Sequence, residues 1–330
     1  MRFEAGYDLD PSGVIDNSRI LQNIIDGTPR GKTFEIPYGI FKITTPLNID
    51  RDEITIKGEG SGTVIYQATV NTHAINLAKA TGETNERWRV NLKHLSVLGG
   101  PGCGEAISGE EVHHSIFEDL YLRSGTSGTG TGKGLHLKHC YWTKIEDIKI
   151  TANIPPIGFP LISTGIPKYG IYVEDQCNIL WMRNLVIDSC TDAIYFAGPA
   201  ASQGGMIDGA YLASNSGYAI NGLNGSIVGW TLSNINPESN TLGDIAAYNW
   251  VFSAIKNSRC RINFGSSCYN NEVRNNLADY DAAYKDSGRH NKWINCGQMG
   301  QTMPDLTGSQ DSVWQTLVDA STWPYVVLIP

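Results

Sequence analysis

From Gly134 to Phe196 the chain states one pattern of apolar and polar positions almost three times. GLHLKHCYWTKIEDIKI and GIYVEDQCNILWMRNLVI, beginning at Gly134 and Gly170, share a small residue, an apolar/any/apolar triplet, a polar pair, a Cys, a variable span and a second triplet. A third copy opens as AIYFAG at Ala193, and related stretches lie on either side, EAISGEEVHHSIFEDLYL before and AINGLNGSIVGWTLSN after. Period two puts Leu135/Leu137, Ile148/Ile150, Ile171/Val173 and Leu185/Ile187 on one side of short strands. Such strands bury too little alone and make a core only when each turn covers the apolar edge of the last. The anchors Leu95, Leu120, Ile148, Leu185 and Ala210 are 25, 28, 37 and 25 residues apart. That spacing predicts a single-stranded parallel β-helix, an all-β solenoid, with a large insertion in the longest interval.

A different period appears near the start. In GYDLDPSGVIDNSRILQNIIDG, Asp16 or Asn17 can cap a short helix whose Ile20, Leu21, Ile24 and Ile25 form one apolar face, stopped by Gly27 and Pro29. Such a helix would plug the open end of a solenoid, where strand edges are otherwise unpaired. The predicted organisation is a cap with a short helix over 1–30, a solenoid over 31–304 and a packing tail with a final strand over 305–330.

The opening motifs carry a resemblance. Asp10-Pro11-Ser12-Gly13, Ile36-Pro37-Tyr38-Gly39 and Lys57-Gly58-Glu59-Gly60 resemble the start of the pectate-lyase-like superfamily of right-handed parallel β-helices, which includes bacteriophage tailspike depolymerases. The likeness spans roughly residues 6 to 300. It implies a glycan laid along the solenoid, a tail or secreted setting and, from phage members, a homotrimer. The superfamily holds lyases, hydrolases, epimerases and binders, so function must be argued from a site.

Composition narrows the partners. Among 330 residues there are 36 Gly and 18% charged residues, which suits a turn-rich β protein, and the formal net charge of −8 opposes nonspecific nucleic-acid or membrane binding. The segment after Met1, RFEAGYDLD, does not read as a signal peptide. Seven Cys without CxxC or Cys/His ligand spacing argue against a disulfide framework or a structural zinc. Cys140 and Cys177 fall at matching places, as stacked buried side chains would.

Two charged registers suggest different roles. Glu118/Asp119, Glu146/Asp147 and Arg183/Asn184 precede the second triplet, where Asp and Asn suit a stacked turn. Glu110/Glu111, Lys138/His139 and Glu174/Asp175 follow the first triplet in three successive turns. Strand spacing sets the outer two pairs roughly 9 to 10 Å apart, close to the roughly 6.5 to 9.5 Å carboxyl separation of inverting glycosidases. A solvated charge ladder is the plainer reading of the same residues.

The excursions RSGTSGTGTGKG and TANIPPIGFPLISTGIPKYG leave matching positions and would wall this region, with Phe159 as a lip and Asp188 and Asp192 nearby. Trp181, aligned with outward Lys144, is a candidate sugar platform; Trp230, aligned with inward Ile148, is expected in the core. The expected chemistry is polysaccharide cleavage without a cofactor: hydrolysis, with Glu174 or Asp175 as acid and Glu110 or Glu111 as partner. Elimination by Lys138 or His139 is the alternative, as is a non-catalytic glycan-binding spike. The histidines show no metal-ligand spacing, and Glu174, Asp175, Asp188 and Asp192 keep an acidic Ca²⁺ site open.

Overall fold

Neighbouring turns of the chain hydrogen-bond to one another in parallel throughout the computed structural model, which describes residues 8–77, 87–100, 102–124, 132–151, 166–278, 284–294, 296–298 and 312–315. Among these residues two large sheets carry the architecture, one of 15 strands and one of 10, each adding a strand per turn. The molecule is a parallel β-solenoid.

Its core is the set of triplets stacked on themselves. Ile107, Leu135, Ile171, Ile194, Ile220, Ile245 and Ile262 occupy one row of the ten-stranded sheet. All are buried, because a β-branched or branched side chain in this row meets its like one strand spacing away. On the other sheet Leu95, Leu120 and Ile148 form a parallel row, as do Leu185 and Ala210. The anchors are therefore equivalent positions, as their spacing predicts. All seven Cys are free and buried, and the Cys140 N–H donates to Cys177 Sγ at 3.4 Å.

Trp230 is buried but not at the expected place. Thr231 pairs with Met206, which pairs with Trp181, so Trp230 follows Leu180 and Gly205 rather than Ile148; Ile235 holds the Ile148-type position. Both places point inward, and burial alone does not separate them. The ladder hydrogen bonds do.

Bends within the strands of the fifteen-stranded sheet, and the residues just after two of its later strands, rest on left-handed backbone. Asp119, Asp147, Asn184, Asn234, Asn257 and Asn275 have φ between 48° and 57°, a region Asn and Asp enter more readily than other side-chain-bearing residues. Asn184 Nδ2 donates to Asp147 Oδ1 at 3.2 Å, and Asn275 Nδ2 to Asn257 Oδ1 at 3.1 Å. Asp119, Asp147 and Asn184 thus stack as expected, but at a bend inside the strands Ile116–Arg123, Lys144–Ile150 and Trp181–Asp188 rather than at a turn between strands.

At the N-terminal end the helix Ser18–Gly27 adds Leu21, Ile24 and Ile25 to the core. Asp16 supplies the oxygen that accepts the Ser18 N–H at 3.0 Å, while Asn17 bonds back to Asp10 and Ile15. The strand Ser12–Asp16, ahead of the helix, already pairs with Gly39–Ile43. Asp10 is a loop-former: its carboxylate accepts from Ser12 N–H, Ser12 Oγ and Ile15 N–H, and the Ser12 hydroxyl bond first of all lowers its pKa. Gly39, at φ 145°, must be glycine, since a Cβ would lie 2.4 Å from Pro11 Cβ. At the far end Val313–Gln315 pairs with Lys292–Ile294, so at least these tail residues continue the sheet.

Candidate active site

Three consecutive strands of the ten-stranded sheet, Glu105–Glu110, Lys133–Lys138 and Tyr169–Glu174, position the charged side chains. Register places Glu110 opposite Lys138 and Lys138 opposite Glu174. With Leu137 and Val173 buried beneath them, alternation sends Lys138 and Glu174 outward. Lys138 Nζ sits 3.0 Å from Glu110 Oε1. That bond above all, with Glu174 and Asp175 nearby, raises the Lys138 pKa.

Glu111, His139 and Asp175 are one residue further on, at a corner where φ is 54°, 52° and 55°. Gly198 takes the same corner in the next turn at φ 88°, and a Cβ there would come within 2.2 Å of Asp175 Oδ1. His139 Nε2 is 3.9 Å from Asp175 Oδ2, too far for a hydrogen bond. The two acidic pairs thus divide: Glu110 and Glu174 share the sheet face, Glu111 and Asp175 its rim.

Glu174 has a closer partner that the repeat pattern hides. Its Oε2 lies 2.8 Å from His136 Nε2, and His136 Nδ1 lies 3.0 Å from Glu105 Oε1. Lys133 Nζ reaches the same Glu105 oxygen at 2.9 Å, and His73 Nδ1 is 3.3 Å from Oε2. A carboxylate, an imidazole and a second carboxylate therefore run diagonally across three turns. Glu105 is 8% exposed. Burial alone would raise its pKa, but the His136 ring and the Lys133 ammonium outweigh it and hold the carboxyl down at about 2.

This has a consequence for stability. A carboxyl of ordinary value 4.5 that folds to about 2 stabilises the native state fully above the upper value and ceases to do so as pH falls toward the lower. The window is therefore pH 4.5 to about 2, and the contribution is roughly 3 kcal/mol. Glu105→Gln is expected to flatten the acid limb of unfolding free energy against pH, measured by urea denaturation; an unchanged limb would contradict the ion cluster.

Aromatic rings cover the neighbouring ground. Tyr172 and Tyr195 stack at 5.2 Å with 9° between planes, Tyr169 lies 4.5 Å from Tyr195, and Lys133 Nζ stands 4.1 Å above Tyr172. Burial, then Glu174 and Tyr195, push the Tyr172 hydroxyl up to about 12. Asn224 Nδ2 donates to the Tyr195 hydroxyl at 2.6 Å. Sequence reasoning missed Glu105, Lys133, His136, Tyr172 and Tyr195. The signal was there: His136, Tyr172 and Tyr195 are the unassigned middle members of three successive triplets, hence one outward row.

Other expected members lie elsewhere. Asp192 is opposite Tyr169, at the other end of the strands from Glu174, which is about 16 Å for five residues. It accepts from the Tyr218 N–H and Asn221 Nδ2, and burial raises its pKa. Asp188 ends the strand Trp181–Asp188 on the other sheet, with its carboxylate on Ser189 Oγ at 2.8 Å. The four acids considered for Ca²⁺ thus do not converge: the strand ends separate them. Among the described residues no three His, Cys, Asp or Glu are grouped as metal ligands. Trp181 also belongs to the fifteen-stranded sheet, opposite Lys144, whose Nζ is 5.9 Å from its ring. Phe159 and most of both excursions lie outside the described residues.

Fold and geometry together define a parallel β-helix with a charged, aromatic outer face. No family model matches the chain, and no curated protein matches it in sequence. Solved structures do. ORF18 of Geobacillus virus E2 superimposes with a TM-score of 0.56 at 14% identity over 93% of this chain and 59% of the viral one. The chain thus spans about 59% of that protein's length. PfbA, a surface adhesin of Streptococcus pneumoniae, gives 0.50 at 10% identity over 96% and 95%. An alginate lyase from Paenibacillus sp. str. FPU-7 gives 0.50 at 13% identity over 91% and 95%. At these identities the likeness is one of fold, the β-helix that the opening motifs imply. Among the described residues no helix is long and apolar enough to cross a membrane.

Proposed function

We propose that the chain binds a polysaccharide across the outer face of the ten-stranded sheet and hydrolyses it, with Glu174 as general acid and Glu110 as general base. The observation that carries this is the different company the two carboxyls keep on one row. Lys138 sits against Glu110 at 3.0 Å, suiting an ionised group that activates water. Glu174 faces an imidazole at 2.8 Å, suiting a group that must be resupplied with a proton. Two carboxyls with different nearest partners, two strand spacings or about 9.6 Å apart along the sheet, stand at the upper end of the separation used in inversion.

In the step envisaged, Glu110 takes a proton from water as its oxygen attacks the anomeric carbon. Glu174 gives a proton to the departing glycosidic oxygen. His136, held on its other side by Glu105, orients the Glu174 carboxyl and returns a proton to it from solvent. Tyr169 and Tyr172, both half-buried, offer rings against which sugars can lie, and the buried Tyr195 packs against both.

Elimination is favoured by a separate observation, the pair of ammonium groups on the same face. Lys133 and Lys138 could neutralise a uronate carboxylate while His139, 3.9 Å from Asp175, takes the α-proton. An alginate lyase is among the proteins with this fold. A panel of capsular and plant polysaccharides, followed by mass analysis of fragments, separates the readings. Hydrated fragments with new reducing ends support hydrolysis. Unsaturated fragments absorbing in the near ultraviolet replace it with elimination, and retention without fragments makes the protein a binder, as the adhesin with this fold is named.

A further inference from the structure

Beyond the rim formed by His139 and Asp175, each turn makes a second corner, and a cleft of about 610 Å³ opens there. One residue per turn adopts left-handed backbone at this corner: His114, Trp142, Ile179, Gly204, Gly229 and Phe252, with φ between 50° and 69°. Their N–H groups bond to the following turn, Trp142 to Asn178 O at 3.1 Å, Ile179 to Gln203 O at 2.8 Å and Gly204 to Val228 O at 2.9 Å. Bulky and β-branched residues rarely take this conformation. At Trp142 and Ile179 they take it and project from the edge of the solenoid.

The rings make a ladder with an interruption. Trp88 stacks on His114 at 4.9 Å and His114 on Trp142 at 4.8 Å, the latter pair within 10° of parallel. Trp142 therefore has one face covered by His114; Ile179 stands one strand spacing beyond it on the other side, and Trp142 remains 42% exposed. There the column drops to Ile179 and then to Gly204 and Gly229, which have no side chain, before Phe252 resumes it 61% exposed. The missing side chains leave a notch about 10 Å long, two strand spacings.

The lining has a chemical character of its own. Among the described residues it contains no Lys, Arg, Asp or Glu, unlike the sheet face. Asn178 Oδ1 accepts the Gln203 N–H at 2.8 Å. Asn178 Nδ2 and the side-chain amide of Gln203 make no hydrogen bond among the described residues. A flat apolar protein surface would bury those amides without partners, which is unfavourable. A ligand with an apolar face and a hydroxyl rim satisfies both rings and amides.

We infer that this notch is a binding subsite for an uncharged sugar residue, a pyranose lying against Trp142 with its hydroxyls on Asn178 and Gln203. It is built without Glu110 or Glu174 and does not depend on the cleavage proposed above. Calorimetric titration with neutral hexasaccharides of glucan, mannan, galactan, xylan and chitin type tests it on wild type, Trp142→Ala, Gly204→Asn and, as a control, Arg30→Gln. Gly204→Asn keeps a residue tolerant of left-handed backbone while filling the notch, so it serves even where Trp142→Ala folds poorly. The expected result is binding of at least one hexasaccharide, weakened about tenfold or more in both corner variants and unchanged in Arg30→Gln, an exposed position at the N-terminal end. Absence of binding across the panel overturns the inference, as does wild-type affinity in both corner variants. A change in sedimentation rather than in sugar binding on altering Trp142 would reassign the notch to contact between copies of the chain.

Discussion

Glu174→Gln is expected to reduce turnover of the chain's polysaccharide by about 10²- to 10⁴-fold, the usual worth of a positioned acid or base, with little change in binding. The amide keeps the size of the carboxyl and can still meet His136, but it cannot deliver a proton. Glu110→Gln should fall as far for the opposite reason, since an amide cannot accept one. The two variants should differ with a small external nucleophile. Azide can replace activated water where the base is missing, so it should restore part of the rate to Glu110→Gln and none to Glu174→Gln. Wild-type turnover in both variants would remove these residues from the chemistry and leave the row as a charge ladder. Loss of turnover in His139→Ala, with Glu174→Gln active, would transfer the reaction to the rim and to elimination.

The largest structural effect is expected at Trp230. Its ring is fully buried, its Nε1–H donates to Ser202 O at 3.0 Å, and it meets Phe196 edge-on at 5.0 Å. Gly205, one turn earlier, exists to admit it, since a Cβ there would lie 2.4 Å from the indole. Trp230→Ala should destabilise by about 3–5 kcal/mol, the range for deleting a large buried aromatic, because no neighbouring side chain can move into the space under a fixed ladder. In a solenoid the damage should begin locally, as each turn is held mainly by the two beside it. Hydrogen exchange should accelerate first around residues 200–230 and only later near the helix Ser18–Gly27. A loss under about 1 kcal/mol by urea denaturation would mean that the site collapses instead of leaving a cavity.

What could be read from the sequence was whatever repeats at equal positions. Ile107, Leu135 and Ile171 lie one over another, and so do Glu110, Lys138 and Glu174, because a parallel ladder converts matching places in the repeat into spatial neighbours. The Asp119, Asp147 and Asn184 stack follows for the same reason. Diagonals are a different matter. Glu105, His136 and Glu174 occupy three non-equivalent places of three turns, and only the reach and direction of long side chains bring them together. No periodicity marks that. Trp230 shows the complementary difficulty: two inward positions a few residues apart satisfy the same hydrophobic pattern, and only hydrogen bonds decide between them. Asp188 and Asp192 are near Glu174 in the chain but were separated by strand ends that the pattern does not locate.

Since Glu105, His136 and Glu174 each come from a separate turn, the arrangement depends on how many turns lie between its parts as much as on which residues they contain. Excising residues 133–168 would remove one whole layer and could leave an intact stack. It would bring Glu105 beside Tyr169 and Glu110 beside Glu174, with no lysine between the two acids. Natural variation in the number of layers would thus erase this chemistry at one stroke while sparing the scaffold, whereas lengthening the chain at either extremity would leave it untouched.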